Sequence, residues 1–198
     1  MPLSNAKELK QIFHLTALEN MPSIVEHGLM PREVLIGKRV DFSDIADPSI
    51  IMERNKGDLD RYIPFHFHPY TAFDLAVRNK HSDKAFVYIA IKRDFARYAG
   101  FKVIPAHPLS SSGTVTLYPY DEGFKMIDWE EVSQTGSGTS YRKQAKMAEC
   151  LTDKIIPATL FQNVYVHDAE TKQYIEMLFR EAGITEQPPF VNIMSEWV

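Results

Sequence analysis

Several features that would place a protein quickly are scarce or missing in this chain of 198 residues. It has one cysteine, so it cannot form a disulfide with itself, and we expect a reducing, cytoplasmic setting. No apolar run approaches the roughly 18 residues that a membrane-spanning helix needs. The N-terminal stretch MPLSNAKELKQIFHLT lacks the apolar core of a signal peptide. The sequence therefore predicts no membrane partner.

Two nucleotide-binding signatures are also missing. No glycine-rich dinucleotide fingerprint and no phosphate loop follows a predicted strand, which argues against nucleotide binding by those two routes. Cations are in the minority as well, since 22 Lys and Arg stand against 26 Asp and Glu, for a net charge of −4. This balance argues against strong non-specific binding to nucleic acid.

The cations that are present concentrate in one segment. Residues 61–110 carry 8 Lys and Arg against 3 Asp and Glu. A basic strip within this segment consists of Lys92, Arg93, Arg97 and Lys102, with Tyr98 and Phe101 between them. Such a cluster is typical either of a solvated helix face or of a surface that contacts phosphate groups.

Hydrophobic periodicity predicts an α+β domain with a mainly antiparallel, split sheet. Strand patterns include residues 11–16, 61–69 and 85–93, and helical spacing is clearest at 169–183. Asn20 is the predicted cap of a short helix that ends at Gly28. Residues 29–61 show little regular pattern, and an irregular stretch of this length is usually functional.

Some residues could carry chemistry, and each has a plainer structural interpretation. His66 and His68 have a common metal-ligand spacing, but no cysteine pair or second histidine cluster completes a site, so we expect no metal. Cys150 beside Glu149 suggests a nucleophile, yet no base accompanies it, and we prefer a small buried residue. His14 lies in an apolar strand, where a hydrogen-bonded core histidine is the commoner occurrence.

Taken in order, four motifs resemble the DarT family of bacterial DNA ADP-ribosyltransferase toxins. They are FHLT (13–16), MPSIVEHGLM (21–30), RYIPFHFHP (61–69) and KMAECL (146–151). The resemblance spans roughly residues 11–167 and implies the ADP-ribosyltransferase fold, a split antiparallel sheet flanked by helices around a central NAD cleft. It also implies NAD as co-substrate, single-stranded DNA as acceptor, and a macrodomain antitoxin of the DarG type as partner.

The resemblance implies roles for individual residues. Glu149 falls on the catalytic glutamate of the family, and residues 130–146 before it fall on the loop that reads the target. His14 would orient the nicotinamide riboside of NAD, with Thr16 beside it. Arg54, in the long NAD-site loop 29–61, falls near the family arginine that contacts NAD and assists catalysis, although Asn55 is the alternative register.

Two more positions fall on family motifs. Tyr62 agrees with the family's second strand, and Thr71 stands where the family has a serine, within a YTA segment that replaces its Arg-Ser-Pro. The resemblance assigns both to the NAD site. His66 replaces the usual tyrosine. This altered motif leads us to favour guanine over thymine as the modified base.

A base inside a duplex cannot reach such a cleft, so the acceptor is expected to be single-stranded or flipped. The resemblance therefore implies that cations line a groove for the strand, with aromatic side chains for stacking. The candidates are the basic strip and three residues at the target loop, Arg142, Lys143 and Lys146.

We predict one ADP-ribosyltransferase-like domain over residues 1–198, acting as a monomer. Its expected activity is NAD-dependent mono-ADP-ribosylation of a DNA base, a pentosyl transfer, as the toxin of a toxin–antitoxin pair. Three alternatives remain. The same fold could modify RNA, protein or a small molecule; the chain could be a non-catalytic nucleic-acid-binding module; or the His-x-His pair could belong to a metallohydrolase.

Overall fold

The computed structural model describes residues 5–108, 115–134 and 138–196. Within these ranges eight strands form a single sheet. The strands are β1 (Gln11–Ala17), β2 (Ile63–His66), β3 (Phe86–Lys92), β4 (Lys102–Ile104), β5 (Tyr118–Pro119), β6 (Glu149–Thr152), β7 (Asn163–Val166) and β8 (Phe190–Ile193).

Helices surround this sheet and connect its strands. They are α1 (Met21–His27), α2 (Arg32–Gly37), α3 (Pro48–Lys56), α4 (Ala72–Lys80), α5 (Arg93–Tyr98), α6 (Tyr120–Met126), α7 (Trp129–Ser133), α8 (Ser140–Ala145) and α9 (Ala169–Glu181). Among the residues described, no helix combines the length and apolar character needed to cross a lipid bilayer.

The sheet has the order β5-β4-β6-β2-β1-β3-β7-β8 and is antiparallel except between β7 and β8. Its two halves meet at one point. β1 pairs with β3 along all seven of its residues, whereas β1 and β2 share the single pair Phe13–His66. Beyond that pair the two strands diverge, so the sheet is split at its centre. The predicted α+β class and split antiparallel sheet are confirmed.

The main core lies under one face of the sheet. Ile12, Phe65, Val103 and Cys150 point into it from four different strands and are 0% exposed. Apolar residues of α1 and α9 close this core from outside. Because side chains alternate along a strand, the neighbours of these residues must emerge on the opposite face.

The opposite face carries a row of four paired residues across the centre of the sheet: Phe13, His66, Glu149 and Ile104. Phe13 belongs to an apolar cluster covered by α4, and Ile104 belongs to another cluster with Leu59 and Leu151. The two polar residues therefore lie between two apolar clusters, beside the split.

Two segments predicted to be loops contain helices. Residues 29–61 hold α2 and α3, and α3 begins with the Asp47 side chain accepting a hydrogen bond from the Ser49 amide, with Pro48 in the first turn. The dipeptide Asp47-Pro48 is a helix-start signal that could have been recognised. Residues 130–146 hold most of α7 and all of α8, while residues 135–137 of that loop lie outside the described ranges.

Candidate active site

A pocket opens where β1 and β2 diverge. His14 and Thr16 line it from β1, and Tyr62, Pro64 and His66 line it from the second strand and the residues before it. Its remaining walls come from α1, from residues 28–60, which include α2 and α3, and from the start of α4. Most of the lining is apolar, which suits the flat rings of a nucleotide.

The most informative contact at the pocket is an ion pair between Arg54 and Glu149. Nη1 of Arg54 donates to both carboxylate oxygens, at 2.8 and 3.0 Å. The two side chains are 15% and 5% exposed, so water screens the pair only weakly. Nη2 of Arg54 is buried and has no hydrogen-bond partner among the described residues. Asn55, the alternative register, also lines the pocket, but Arg54 is the residue that meets Glu149.

His14 is held in one tautomer by the neighbouring strand. Its Nδ1 lies 2.8 Å from the carbonyl oxygen of Pro64, and because a carbonyl oxygen only accepts, Nδ1 carries the proton. Burial lowers the pKa of His14 to about 4. The ring is therefore neutral near pH 7, and the lone pair of Nε2 is available as an acceptor.

Thr16 acts on the pocket through Asn20. The Asn20 amide nitrogen donates to the Thr16 hydroxyl (3.1 Å) and to the Ser43 carbonyl (3.0 Å), and its oxygen accepts from the Ser43 amide (2.7 Å). Asn20 thus fastens the segment around Ser43 over the pocket. Asn20 does stand at the N-cap position of α1, as predicted, but its side chain makes no capping hydrogen bond. Nothing local in the sequence indicates a partner 23 residues away.

Tyr62 and Thr71 occupy different environments. Tyr62 lines the pocket next to Leu59. Thr71 is 1% exposed and caps α4, because its hydroxyl accepts a hydrogen bond from the amide of Asp74. Its contribution to NAD binding would therefore be indirect, through the position of α4.

The residues of the basic strip differ in their exposure to solvent. Arg93 is 6% exposed, and its guanidinium donates to four backbone carbonyls, those of Ala6, Lys7, Gln11 and Phe67. It also lies over the rings of Phe67, Phe124 and Trp129. This arginine fastens the N-terminal segment to the core and is not presented to a phosphate.

The other six predicted nucleic-acid contacts lie nearer the surface. Three have partners: Arg97 pairs with Asp121, Arg142 pairs with Glu131, and the Lys146 ammonium donates to the carbonyl of Gln134. Lys92, Lys102 and Lys143 have exposed side chains. Lys102 lies two residues before Ile104, which pairs with Glu149, so Lys102 shares the sheet face of the glutamate. Tyr98 is 85% exposed, whereas Phe101 is buried.

His66, at the end of β2, and His68, two residues later, are both buried. They lie on the face of the strand opposite Phe65 and Phe67. His66 lies directly across from Glu149 in the strand pairing. Both ring nitrogens of His68 lie within 3.1 Å of backbone carbonyls, those of Pro69 and Lys146. In the described residues no group of three or more His, Cys, Asp or Glu is arranged to hold a metal ion.

Cys150 is a core residue, as expected from its place beside Glu149. It is 0% exposed, and burial raises the pKa of its thiol far above the normal range. The thiolate is the nucleophilic form of cysteine, so this side chain is inert.

Sequence reasoning missed one residue that lines the pocket and one that lies near the glutamate. Asp74 lines the pocket beside His66. His107 lies in none of the sequence motifs, yet its amide donates to the carbonyl of Gln144 in α8. Burial lowers the pKa of its ring, and the charges of Glu149 and Arg54 act on it as well. Both contacts depend on how distant segments come together.

A split antiparallel sheet with a His-x-Thr strand on one side of the cleft and a glutamate strand on the other defines an ADP-ribosyltransferase. The chain belongs to the DarT family: the sequence model of that family, described as ssDNA thymidine ADP-ribosyltransferase, matches residues 13–198. The resemblance found in the four motifs is confirmed. No curated protein sequence matches the chain.

Solved structures of the family share the fold. Thermus sp. 2.9 DarT in complex with ADP-ribosylated ssDNA has a TM-score of 0.81 at 19% identity, over 95% of both chains. The same protein in complex with NAD+ has a TM-score of 0.76 at 17% identity, over 96% of this chain and 98% of that chain. Thermosipho africanus DarTG in complex with ADP-ribose has a TM-score of 0.74 at 18% identity, and the match covers 96% of this chain but 51% of the other.

Proposed function

We propose that this chain transfers ADP-ribose from NAD to a thymine in single-stranded DNA, with Glu149 as the catalytic residue. The observation that carries the proposal is the ion pair between Glu149 and Arg54, an arginine that lines a largely apolar pocket. Burying a carboxylate against a half-buried guanidinium is costly for a site that is only structural. The arrangement suits cleavage of the bond between the cationic nicotinamide ring and ribose.

In the first step the bond between nicotinamide and ribose breaks. Its electron pair moves to the nicotinamide nitrogen, which loses its positive charge, and the ribose gains oxocarbenium character. The Glu149 carboxylate stabilises this developing charge, as carboxylates do in glycosidases. His14, neutral and fixed by the Pro64 carbonyl, presents an acceptor at Nε2 that orients the nicotinamide riboside.

In the second step a ring nitrogen of the base attacks the anomeric carbon of the ribose. Thymine has one ring N–H available in single-stranded DNA, and this proton must leave as the new N–C bond forms. Glu149 is placed to accept it, and general-base catalysis of this kind contributes roughly 10²–10⁴ in rate.

Arg54 has two tasks. Nη1 holds both oxygens of Glu149 in place, which fixes the carboxylate before substrate arrives. Nη2, buried and unpartnered within the described residues, is free to donate to a pyrophosphate oxygen of NAD or to a carbonyl of the bound base.

The choice of thymine departs from our expectation of guanine. That expectation came from the changed motif around His66, whereas the family description names thymidine. The DNA strand would reach the cleft along the exposed cations Lys102 and Lys143, one on the sheet face of Glu149 and one on α8. Arg93 is left out of this surface because its guanidinium is buried and bonded to the backbone.

The test compares the native protein with Glu149→Gln, which keeps the shape of the side chain but removes its charge. Each protein is incubated with NAD and single-stranded oligonucleotides that contain A and C plus either T or G. Mass spectrometry of the DNA is expected to show one added ADP-ribose on the T-containing strand with the native protein. We expect a loss of roughly 10²–10⁴ in rate for the variant.

The other outcomes are equally informative. Addition to the G-containing strand alone would restore guanine as the acceptor. If NAD is consumed without any DNA adduct, the acceptor is instead an RNA, a protein or a small molecule. An active Glu149→Gln variant would remove Glu149 from the mechanism.

An enzyme that modifies DNA needs control in its host. We propose a macrodomain antitoxin as partner, supported by the match to about half of the Thermosipho africanus DarTG chain. The single buried cysteine supports a reducing compartment, and we propose the cytoplasm.

A further inference from the structure

Asp74 is a buried carboxylate whose two oxygens differ in their hydrogen bonding. The side chain is 1% exposed and lies in the first turn of α4. Its Oδ2 accepts a hydrogen bond from the Thr71 amide at 2.6 Å, and its own amide donates to the Thr71 hydroxyl at 3.2 Å. This capping box accounts for one oxygen. Oδ1 is buried and has no hydrogen-bond partner among the described residues.

The unused oxygen belongs to the nucleotide pocket. Asp74 lines it together with His14 and His66. The neighbouring Tyr88 hydroxyl stays protonated, because burial, followed by the charge of Asp74 and a side-chain hydrogen bond with Asp74, raises its pKa. The Tyr88 oxygen also accepts a hydrogen bond from the amide of Tyr70 at 2.8 Å. The Thr71 amide and the Tyr88 hydroxyl occupy two of the roughly four acceptor sites of a carboxylate, so Asp74 keeps acceptor capacity at the pocket.

A buried oxygen that lacks a hydrogen-bond donor lowers the stability of the fold unless a bound ligand supplies the donor. An ionised carboxylate has about four acceptor sites, and leaving a buried polar group unsatisfied is destabilising. Helix capping alone does not require a buried carboxylate, since Asp168 caps α9 from the N-cap position while exposed. The same pocket contains a second unpartnered buried atom of opposite polarity, Nη2 of Arg54. NAD is a zwitterion with a cationic nicotinamide ring and an anionic pyrophosphate, so it offers a partner to both.

We propose that Asp74 is a further NAD-binding residue, whose Oδ1 accepts a hydrogen bond from an N–H or O–H of the nicotinamide riboside and whose charge faces the pyridinium ring. This inference rests on the proposed function. The hydrogen bond to Oδ1 is made in bound NAD and in the transition state alike, so Asp74 contributes uniform binding of NAD. Its removal raises KM for NAD and changes kcat little.

The variant that tests this is Asp74→Asn. The amide oxygen can replace Oδ2 in the capping box, and the NH2 group then takes the place of Oδ1, so an anionic acceptor becomes a neutral donor of the same size. We expect KM for NAD to rise about tenfold, the loss of one charge-assisted hydrogen bond, with kcat within about threefold. An unchanged KM in the folded variant would overturn the proposal.

Binding measured by calorimetry without DNA separates the two possible donors. ADP-ribose keeps the ribose hydroxyls but lacks nicotinamide. A loss of affinity for NAD alone assigns the carboxamide N–H as the donor, whereas equal losses for NAD and ADP-ribose assign a ribose hydroxyl. Unchanged affinity for both ligands contradicts the role of Asp74.

Asp168→Asn is the matched control. Asp168 accepts from the Thr171 amide at 2.8 Å at the start of α9, is exposed, and lies away from the pocket. The same chemical change there is expected to weaken a helix cap and leave KM for NAD unchanged. A rise in KM equal to that of Asp74→Asn would mean that cap loss alone explains the effect.

A ligand-side measurement covers the case in which Asp74→Asn does not fold. The 3-acetylpyridine analogue of NAD carries a methyl group in place of the carboxamide NH2. If the native protein binds it about as tightly as NAD, the carboxamide donor is excluded; about tenfold weaker binding supports it. If the native protein neither binds NAD nor modifies DNA, the proposed function itself is rejected. If the native protein is fully active and Asp74→Asn leaves KM for NAD unchanged, only the inference about Asp74 is rejected.

Discussion

Adjacent residues of this chain have opposite roles because they lie on a strand. Glu149 and Cys150 are neighbours in β6, so one side chain meets Arg54 and the other enters the main core. A slip of one residue in the pairing with β2 would exchange them, burying the carboxylate among apolar side chains. The pairing of His66 with Glu149 is therefore a condition for folding and for the catalytic role proposed for Glu149.

The first prediction at the residue scale concerns His14 and acid. Its folded-state pKa of about 4 lies below the ordinary value of 6.5, so the unfolded chain binds the proton more readily. The free energy of unfolding should therefore fall as pH drops from about 6.5 to about 4, by at most about 3 kcal/mol from this residue. Denaturant melts across this pH range measure the slope.

Two variants isolate the contribution. His14→Gln cannot gain the proton and should show a shallower dependence on pH in the same window. His27→Gln, which changes an exposed histidine at the end of α1, should behave as the native protein does. If His14→Gln keeps the native slope, another group is responsible.

At the element scale, Arg93 in α5 and Lys102 in β4 carry the same charge but lie in different environments, and we expect different roles for them. We expect Arg93→Gln to lower the free energy of unfolding by about 3 kcal/mol, because it leaves carbonyls of the N-terminal segment and of Phe67 without their donor. The affinity of the folded variant for single-stranded DNA should not change. Thermal melts and binding curves measure the two effects separately.

Lys102→Gln should give the opposite result. Its side chain is exposed on the face that carries Glu149, so stability should change little. DNA affinity should fall, and the slope of log K against log salt should become shallower by about 0.7, the value for one lost phosphate contact on a single strand. If Arg93→Gln were as stable as the native protein and bound DNA more weakly, the assignment of Arg93 to stability would be wrong.

At the scale of the whole molecule, one sheet joins every part of the site. β1, β2 and β6 carry His14, His66 and Glu149, and the pocket is completed by segments on either side of them. We expect residues 1–198 to unfold in a single transition that NAD shifts upward. At about 100 times the Kd, NAD adds about 2.7 kcal/mol, or roughly 5–10 °C for a chain of this size. Scanning calorimetry checks both; two separated transitions would indicate two independently folding units.

Much of the fold could be predicted because its strands and longer helices have clear local periodicity. The strand at 85–93, the helix that ends before Gly28 and the helix at 169–183 were all placed by patterns within about fifteen residues. α2, α3, α7 and α8 were not, because each is short and lies in a segment with few apolar residues at helical spacing. Short helices of this kind form chiefly because the surrounding structure packs against them.

The sequence by itself determined the order of the elements and the alternation that separates Glu149 from Cys150, since both follow from periodicities of a few residues. Only the tertiary structure decided that Arg54 reaches a glutamate 95 positions away, that Arg93 is buried, and that one oxygen of Asp74 has no hydrogen-bond partner among the described residues. The reason is physical. A local pattern states which side chains share a face, whereas sheet order and register decide which distant faces meet.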